Sequence, residues 1–181
     1  MDNRWSAALW RQFGAAIDML ENALLACPSA SWEQRLWYAT PAMSAEFWYL
    51  TFHTLHWLDF FLTGSVEGFT PPSPFNEREP GTYPKRPYTK AELQQYLWYL
   101  RKKCQTTIVE LSEETAGRPF EFPWDKGNPI SYWELLLYTM RHTQEHAAQL
   151  SLFLGQNATD HEAMDAALDW VSQAKQDHPS E

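Results

Sequence analysis

The chain has 181 residues, 44% of them hydrophobic, with 23 acidic against 14 basic side chains and a formal charge of −9. That length supports one domain, residues 1–181, with a substantial core, and the negative balance repels phosphate backbones and anionic headgroups, so nucleic acid and membrane surfaces are excluded as expected partners. The opening stretch MDNRWSAALWRQFG lacks the uninterrupted apolar core of a signal peptide, and no apolar run approaches the ~20 residues that span a bilayer; the expectation is a soluble, cytoplasmic protein.

Helix signals recur along the chain and strand signals do not. From Arg4 to about Ala26, apolar residues repeat at three- and four-residue spacing until CPSAS ends the pattern. A short helical turn is expected at SWEQRLWY, where Ser31 and Gln34 fit a capping box. Thr40 and Pro41 read as the N-cap and first-turn proline of a second helix, AMSAEFWYLTFHTLHWLDFFLTG, which stops at Gly64. Thr89 with Glu92 caps a third helix, KAELQQYLWYLRKKCQTTIVELS. Ser131 with Glu134 caps a fourth, YWELLLYTMRHTQEHAAQLSLFLG, ended by Gly155. Thr159 with Glu162 caps a fifth, shorter helix, and the polar tail of about 173–181 is expected to fray.

Each of the four long segments carries an apolar stripe that cannot be buried alone, which predicts an all-α four-helix bundle with an additional short C-terminal helix. The Pro-rich connection of about 65–88 is long enough to return along a ~30 Å helix, allowing the second and third helices to run parallel. Phe69, Phe75, Tyr83 and Tyr88 give it something to pack with, so an ordered crossover is expected rather than a loose linker. Cys27 and Cys104 fall in no C-x-x-C spacing and read as two separate reduced thiols.

Inside the fourth helix, His142 and His146 stand four residues apart, about 40° from each other on one face. Leu135, Thr139, Leu150 and Phe153 project the same way, so the pair faces the bundle interior. Two inward imidazoles fit either a hydrogen-bonded core or a single ion that satisfies both at once. The second helix supplies two candidates for a third ligand in YLTFHTLHWLDFFL. His53 flanks the apolar face; His56 points toward the Asp59 side and solvent. Three histidines from two helices would leave coordination positions open, as catalytic or substrate-binding metals require, and would suit zinc, nickel or iron. Gln149 lies near the His142 face and is a candidate to orient a ligand or a water. Glu46, two turns before His53, is a weaker candidate for the same role and reads first as a solvated charge.

HTQEH also matches H-x-x-E-H, an inverted zinc-protease pattern. Glu145, however, points some 60° or more away from both histidines, and five matching residues carry little specificity. The chain contains no Gly-rich phosphate loop and no G-x-S-x-G.

FHTLHWLDFFLTGS, the long crossover and RHTQEHAAQL together resemble the DinB/YfiT-like family of small bundle metalloproteins, over most of the chain up to about Gly155. That family's pattern has one histidine on the second helix and H-x-x-x-H followed by a small-residue pair and Gln on the fourth. His53, His142, His146 and Gln149 occupy those positions. The resemblance implies that the three histidines bind a divalent metal, with an up-down-down-up topology and frequent homodimers. Characterised members look like thiol-dependent enzymes, among them S-transferases using bacillithiol or glutathione and a mycothiol-dependent isomerase. The expected function is therefore a metal-dependent thiol transferase acting on a small-molecule substrate with a low-molecular-weight thiol. The alternative is a non-catalytic metal-binding or stress-response protein. Lys85 and Arg86, in the crossover, are candidates to meet an anionic thiol, against the simpler reading of a solvated charge pair.

Overall fold

The computed structural model describes residues 3–37, 44–77, 83–167 and 169–175. Helix α1 (Asn3–Ala26) forms on its apolar spacing and buries Leu9, Phe13, Ile17, Leu20 and Leu24 along one stripe. Helix α2 (Phe47–Thr63) begins later than its sequence suggests; Thr40 and Pro41 lie outside the described residues. Its first amides are satisfied by backbone rather than by a side-chain cap. Phe47 N–H donates to the Gln34 carbonyl (2.9 Å) and Trp48 N–H to the Trp32 carbonyl (3.0 Å). That use of residues 32–36 replaces the capping-box turn expected at Ser31 and Gln34: a single 3-10 turn occupies Ser29–Ser31, and Arg35 then pairs with Glu46 in an isolated bridge.

At its other end α2 stops at Gly64 in the left-handed conformation, φ 66°. Only glycine fits there on two counts, because a Cβ would also lie 2.6 Å from both the Arg118 guanidinium and the Tyr132 ring.

Helix α3 (Lys90–Val109) starts at the Thr89–Glu92 capping box. The Arg86 guanidinium, hydrogen-bonded to Glu92, holds that carboxylate down to about 2. The helix ends short of Ser112 because Ser112 caps a new short helix, α4 (Glu113–Gly117), accepting from Thr115 N–H. A hairpin follows, β1 (Pro119–Phe122) antiparallel to β2 (Asp125–Ser131), so the predominantly helical chain carries a small two-stranded sheet that the all-α expectation omits.

Helix α5 (Tyr132–Asn157) opens at the Ser131–Glu134 capping box and runs two residues past Gly155. Helix α6 (His161–Ala167) is capped by the Asp160 carboxylate, which accepts from Ala163 N–H, rather than by Thr159 with Glu162. Residues 173–175, expected to fray, are docked: Ala174 N–H donates to the Arg11 carbonyl and Lys175 N–H to Asp18. Gly14 leaves room for that strap, since a Cβ there would meet Ala174 at 2.5 Å. Residues 176–181 lie outside the described residues.

The helices α1 and α2 each pack against both α3 and α5. The crossover after Gly64 then closes over α2, with Phe75 stacked on Phe52 and Tyr96, Tyr83 stacked on Tyr49, and Phe69 edge-on to Phe60. As a result α2 is buried on nearly every side. Its polar groups are answered internally. Thr51 and Thr54 donate to carbonyls four residues back, while Asp59 accepts from Lys103 (2.6 Å) and from the Tyr96 hydroxyl (2.7 Å). Among the described residues no helix is long and apolar enough to cross a membrane.

Asp59 is 1% exposed, so removing its cation should strand a buried carboxylate. Lys103→Met is expected to lower stability by about 2–3 kcal/mol in chemical denaturation. Adding Asp59→Leu should recover much of that loss; a double variant less stable than the single one would refute this account of the network.

Candidate metal centre

Helix α2 presents His53 to α5, and α5 presents His142 and His146 one turn apart. The His53 ring lies 5.5 Å from His142 and 5.2 Å from His146 between centroids, and the latter two meet edge to face at 4.5 Å. One nitrogen from each ring falls within 4.8 Å of the others, and all three side chains are half-buried. The three histidines singled out from sequence therefore come together in one cluster that could hold a metal ion.

His142 Nε2 and His146 Nε2 are 3.1 Å apart. With metal–nitrogen bonds of ~2.05 Å, two ligands would be about 3.4 Å apart in tetrahedral and about 2.9 Å in octahedral coordination, so the observed spacing falls between the two. The protons also suit an ion. Gln149 Oε1 accepts from His146 Nδ1 at 2.8 Å, which leaves the His146 lone pair on Nε2, facing His142. Burial, and secondarily the neighbouring His146, pull His142 down to about 4, so its ring is neutral near pH 7. Its Nδ1 is buried without a hydrogen-bond partner; leaving that atom unsatisfied costs on the order of 1–3 kcal/mol, and a strong bond at Nε2 would offset it.

The other candidates are elsewhere. His56 is half-buried rather than turned fully to solvent: its ring lies edge-on to Phe69 at 5.2 Å and against Phe52 at 5.5 Å. The reason is the crossover, whose Phe69 packs on the face that helical phase alone assigns to water; Asp59 is covered instead by Lys103 and Tyr96 of α3. Glu46 is half-buried and outside the cluster; it accepts from Ala45 N–H and sits 3.5 Å from Arg35. Glu145 is exposed and outside the histidine cluster, against the protease pattern. Arg86 is held by Glu92 through two hydrogen bonds, 2.6 and 2.9 Å. Cys27 and Cys104 are free and buried, and burial pushes the Cys27 thiol up to about 12 and Cys104 further in the same direction.

Sequence reasoning missed the rings that border the cluster. Tyr138 lies nearly parallel to His142, at 6.3 Å and 15°, and Trp57 stands 6.3 Å from His53. The hairpin adds Phe122, 4.9 Å from Tyr138, and Trp124, 5.2 Å from Trp57. A signal for it exists in Phe120-x-Phe122-x-Trp124, an alternation of period two; the chain turns at Pro123 and Trp124, and Gly127, inside β2, has φ 89°.

A largely helical fold with three histidines converging from two helices describes a class of small metal-binding bundles. The chain belongs to the DinB superfamily, whose family model matches residues 12–150. No curated protein sequence matches the chain.

The Gln149 contact makes a prediction independent of any ion. In metal-free protein near neutral pH, imidazole nitrogen NMR should find His146 protonated at Nδ1, and Gln149→Leu should redistribute that tautomer. An unchanged His146 spectrum in the variant would mean that the amide does not orient the ring.

Proposed function

We propose that His53, His142 and His146 hold one divalent metal, zinc, nickel or iron, and that the protein is a metal-dependent thiol transferase acting on a small-molecule substrate with a low-molecular-weight thiol. The observation that carries this reading is the pair of imidazole nitrogens 3.1 Å apart with His53 in the same cluster. In such a set the ion would supply positive charge at open positions, lowering the pKa of a bound thiol so that a nucleophile exists at neutral pH. The chain's own residues do the rest. Gln149 fixes the His146 tautomer, the His142 ring stays neutral, and the surrounding rings limit water. The buried cysteines make poor nucleophiles, consistent with a thiol that comes from outside.

Helix directions support the up-down-down-up course of the family. Lys90 bonds the Cys27 carbonyl and Arg101 bonds Asp18, as antiparallel α1 and α3 require. Tyr96 reaches Asp59 while Lys103 reaches Thr63, as parallel α2 and α3 require. Phe47 meets Phe153 and Phe61 meets Tyr138, as antiparallel α2 and α5 require. A homodimer is part of the same proposal.

Metal analysis should find about one ion per chain. His142→Ala and His146→Ala should abolish uptake with helical content retained, His53→Ala should weaken it strongly, and His56→Ala should leave it nearly unchanged. Full occupancy in the first two variants would place the metal elsewhere.

Cobalt-substituted protein should develop sulfur-to-metal charge-transfer absorption when a low-molecular-weight thiol is added, at a pH below the free thiol's ~8.5. Cys27→Ser with Cys104→Ser should leave that band intact. Silence across a broad thiol panel, with cobalt confirmed in place, would favour a non-catalytic metal-binding protein.

A further inference from the structure

The rings beside the histidines form one continuous surface. Phe61 is buried beneath it, with Tyr138 at 5.5 Å, Phe122 at 5.8 Å and Trp57 stacked at 5.4 Å. Trp57, Phe122 and Tyr138 are half-buried, and Trp124 completes the surface at the hairpin tip while remaining 57% exposed. Trp124 stacks on Phe122 at 5.2 Å and 29° and meets Trp57 edge-on at 5.2 Å. The shelf is thus bounded by His53 through Trp57 and by His142 through Tyr138.

We infer that this shelf binds an uncharged, planar aromatic group of the substrate; the inference rests on reading the histidine cluster as the reactive centre. A molecule reacting at the cluster must lay its remaining atoms on neighbouring surface, and this surface is mostly ring carbon with indole N–H and tyrosine hydroxyl groups; the Arg141 guanidinium lies at its edge, 5.8 Å from the Tyr138 ring centre, and is drawn to the face of an aromatic ring. Flat rings stack offset or edge to face on such side chains, an attraction beyond the area buried that an aliphatic ring lacks. The outermost ring is also held in place. The hairpin that carries Trp124 is tied to the bundle at its base, where Tyr132 donates to the Leu62 carbonyl and Tyr132 N–H to the Arg118 carbonyl.

A second copy of the chain is a poorer occupant. Three half-buried rings and one half-exposed indole offer on the order of 300 Å², given 150–250 Å² per aromatic side chain, against the ~800 Å² per partner that a stable interface buries.

Equilibrium dialysis of the purified protein with 1-nitronaphthalene, which is planar, uncharged and inert to thiols, tests the inference, with nitrocyclohexane as the aliphatic counterpart. The naphthalene should bind at least tenfold more tightly than the cyclohexane. Trp124→Leu should weaken it by tenfold or more, Trp124→Phe should restore most of the binding, and Leu152→Ala, at an exposed position on α5, should change nothing. Metal content and circular dichroism of the Trp124 variants should match the parent. Equal binding of the two probes, or no loss in Trp124→Leu, would overturn the aromatic subsite. A dimer that dissociates in Trp124→Leu during sedimentation would assign the shelf to a second copy and overturn it as well. If naphthalene binding behaves as expected while the thiol panel stays silent, the subsite stands and the transferase reading falls; a thiol band without naphthalene binding gives the reverse.

Discussion

The enclosure of α2 is the constraint on which the other features of this protein depend. A helix at the edge of a bundle can send its polar residues into water, but α2 is covered by α3, by α5 and by the aromatic crossover at once. Every polar side chain on its covered faces must then find a partner inside. The threonines do so locally, by bonding one turn back. Asp59 cannot, and recruits Lys103 and Tyr96 from α3. That network fixes the register of α2 against α3 with charge-assisted bonds, more directionally than the surrounding apolar contacts can.

His53 meets the same constraint on the opposite flank, where α5 supplies two further imidazoles rather than a carboxylate. Neutral imidazoles have one donor and one acceptor each, and three of them grouped together cannot all be satisfied by one another with the geometry present: His142 retains a buried nitrogen without a hydrogen bond. That unsatisfied nitrogen belongs to the cluster that could hold an ion. Functional sites are where such local inconsistencies are expected.

What could be read from sequence was what is decided locally. The capping boxes at Thr89–Glu92 and Ser131–Glu134 are closed within four residues, and the shared face of His142 and His146 follows from helical pitch alone. The start of α2 was not legible because its amides are answered by carbonyls at Trp32 and Gln34, across an intervening loop. The strap at 169–175 escaped for the same reason: its bonds are mainly backbone contacts to residues more than 150 positions away, such as Lys175 N–H to Asp18. His56 was assigned to solvent because helical phase distinguishes one face from another but does not reveal that Phe69 of the crossover packs on that face. The hairpin was obscured by Pro119, Pro123 and Pro129, which break an already short alternation into pieces too small to outweigh the helical pattern around it.

The two flanks of α2 also divide the chemistry. On the α3 side a cation and a carboxylate neutralise each other with a tyrosine hydroxyl completing the set, leaving no lone pair directed at open space. On the α5 side the cluster found among the described residues holds no carboxylate, only half-buried imidazole rings. A carboxylate there would compensate the charge of an ion and weaken its pull on any further ligand, whereas three neutral nitrogens leave the full divalent charge available. The aromatic border acts in the same direction, because lowering the polarity around an ion strengthens its effect on whatever occupies the remaining positions. Among the described residues the cluster holds no acid, in a chain whose overall balance is −9, and that composition supports the proposed reading of a site that activates a bound group over one that merely retains an ion.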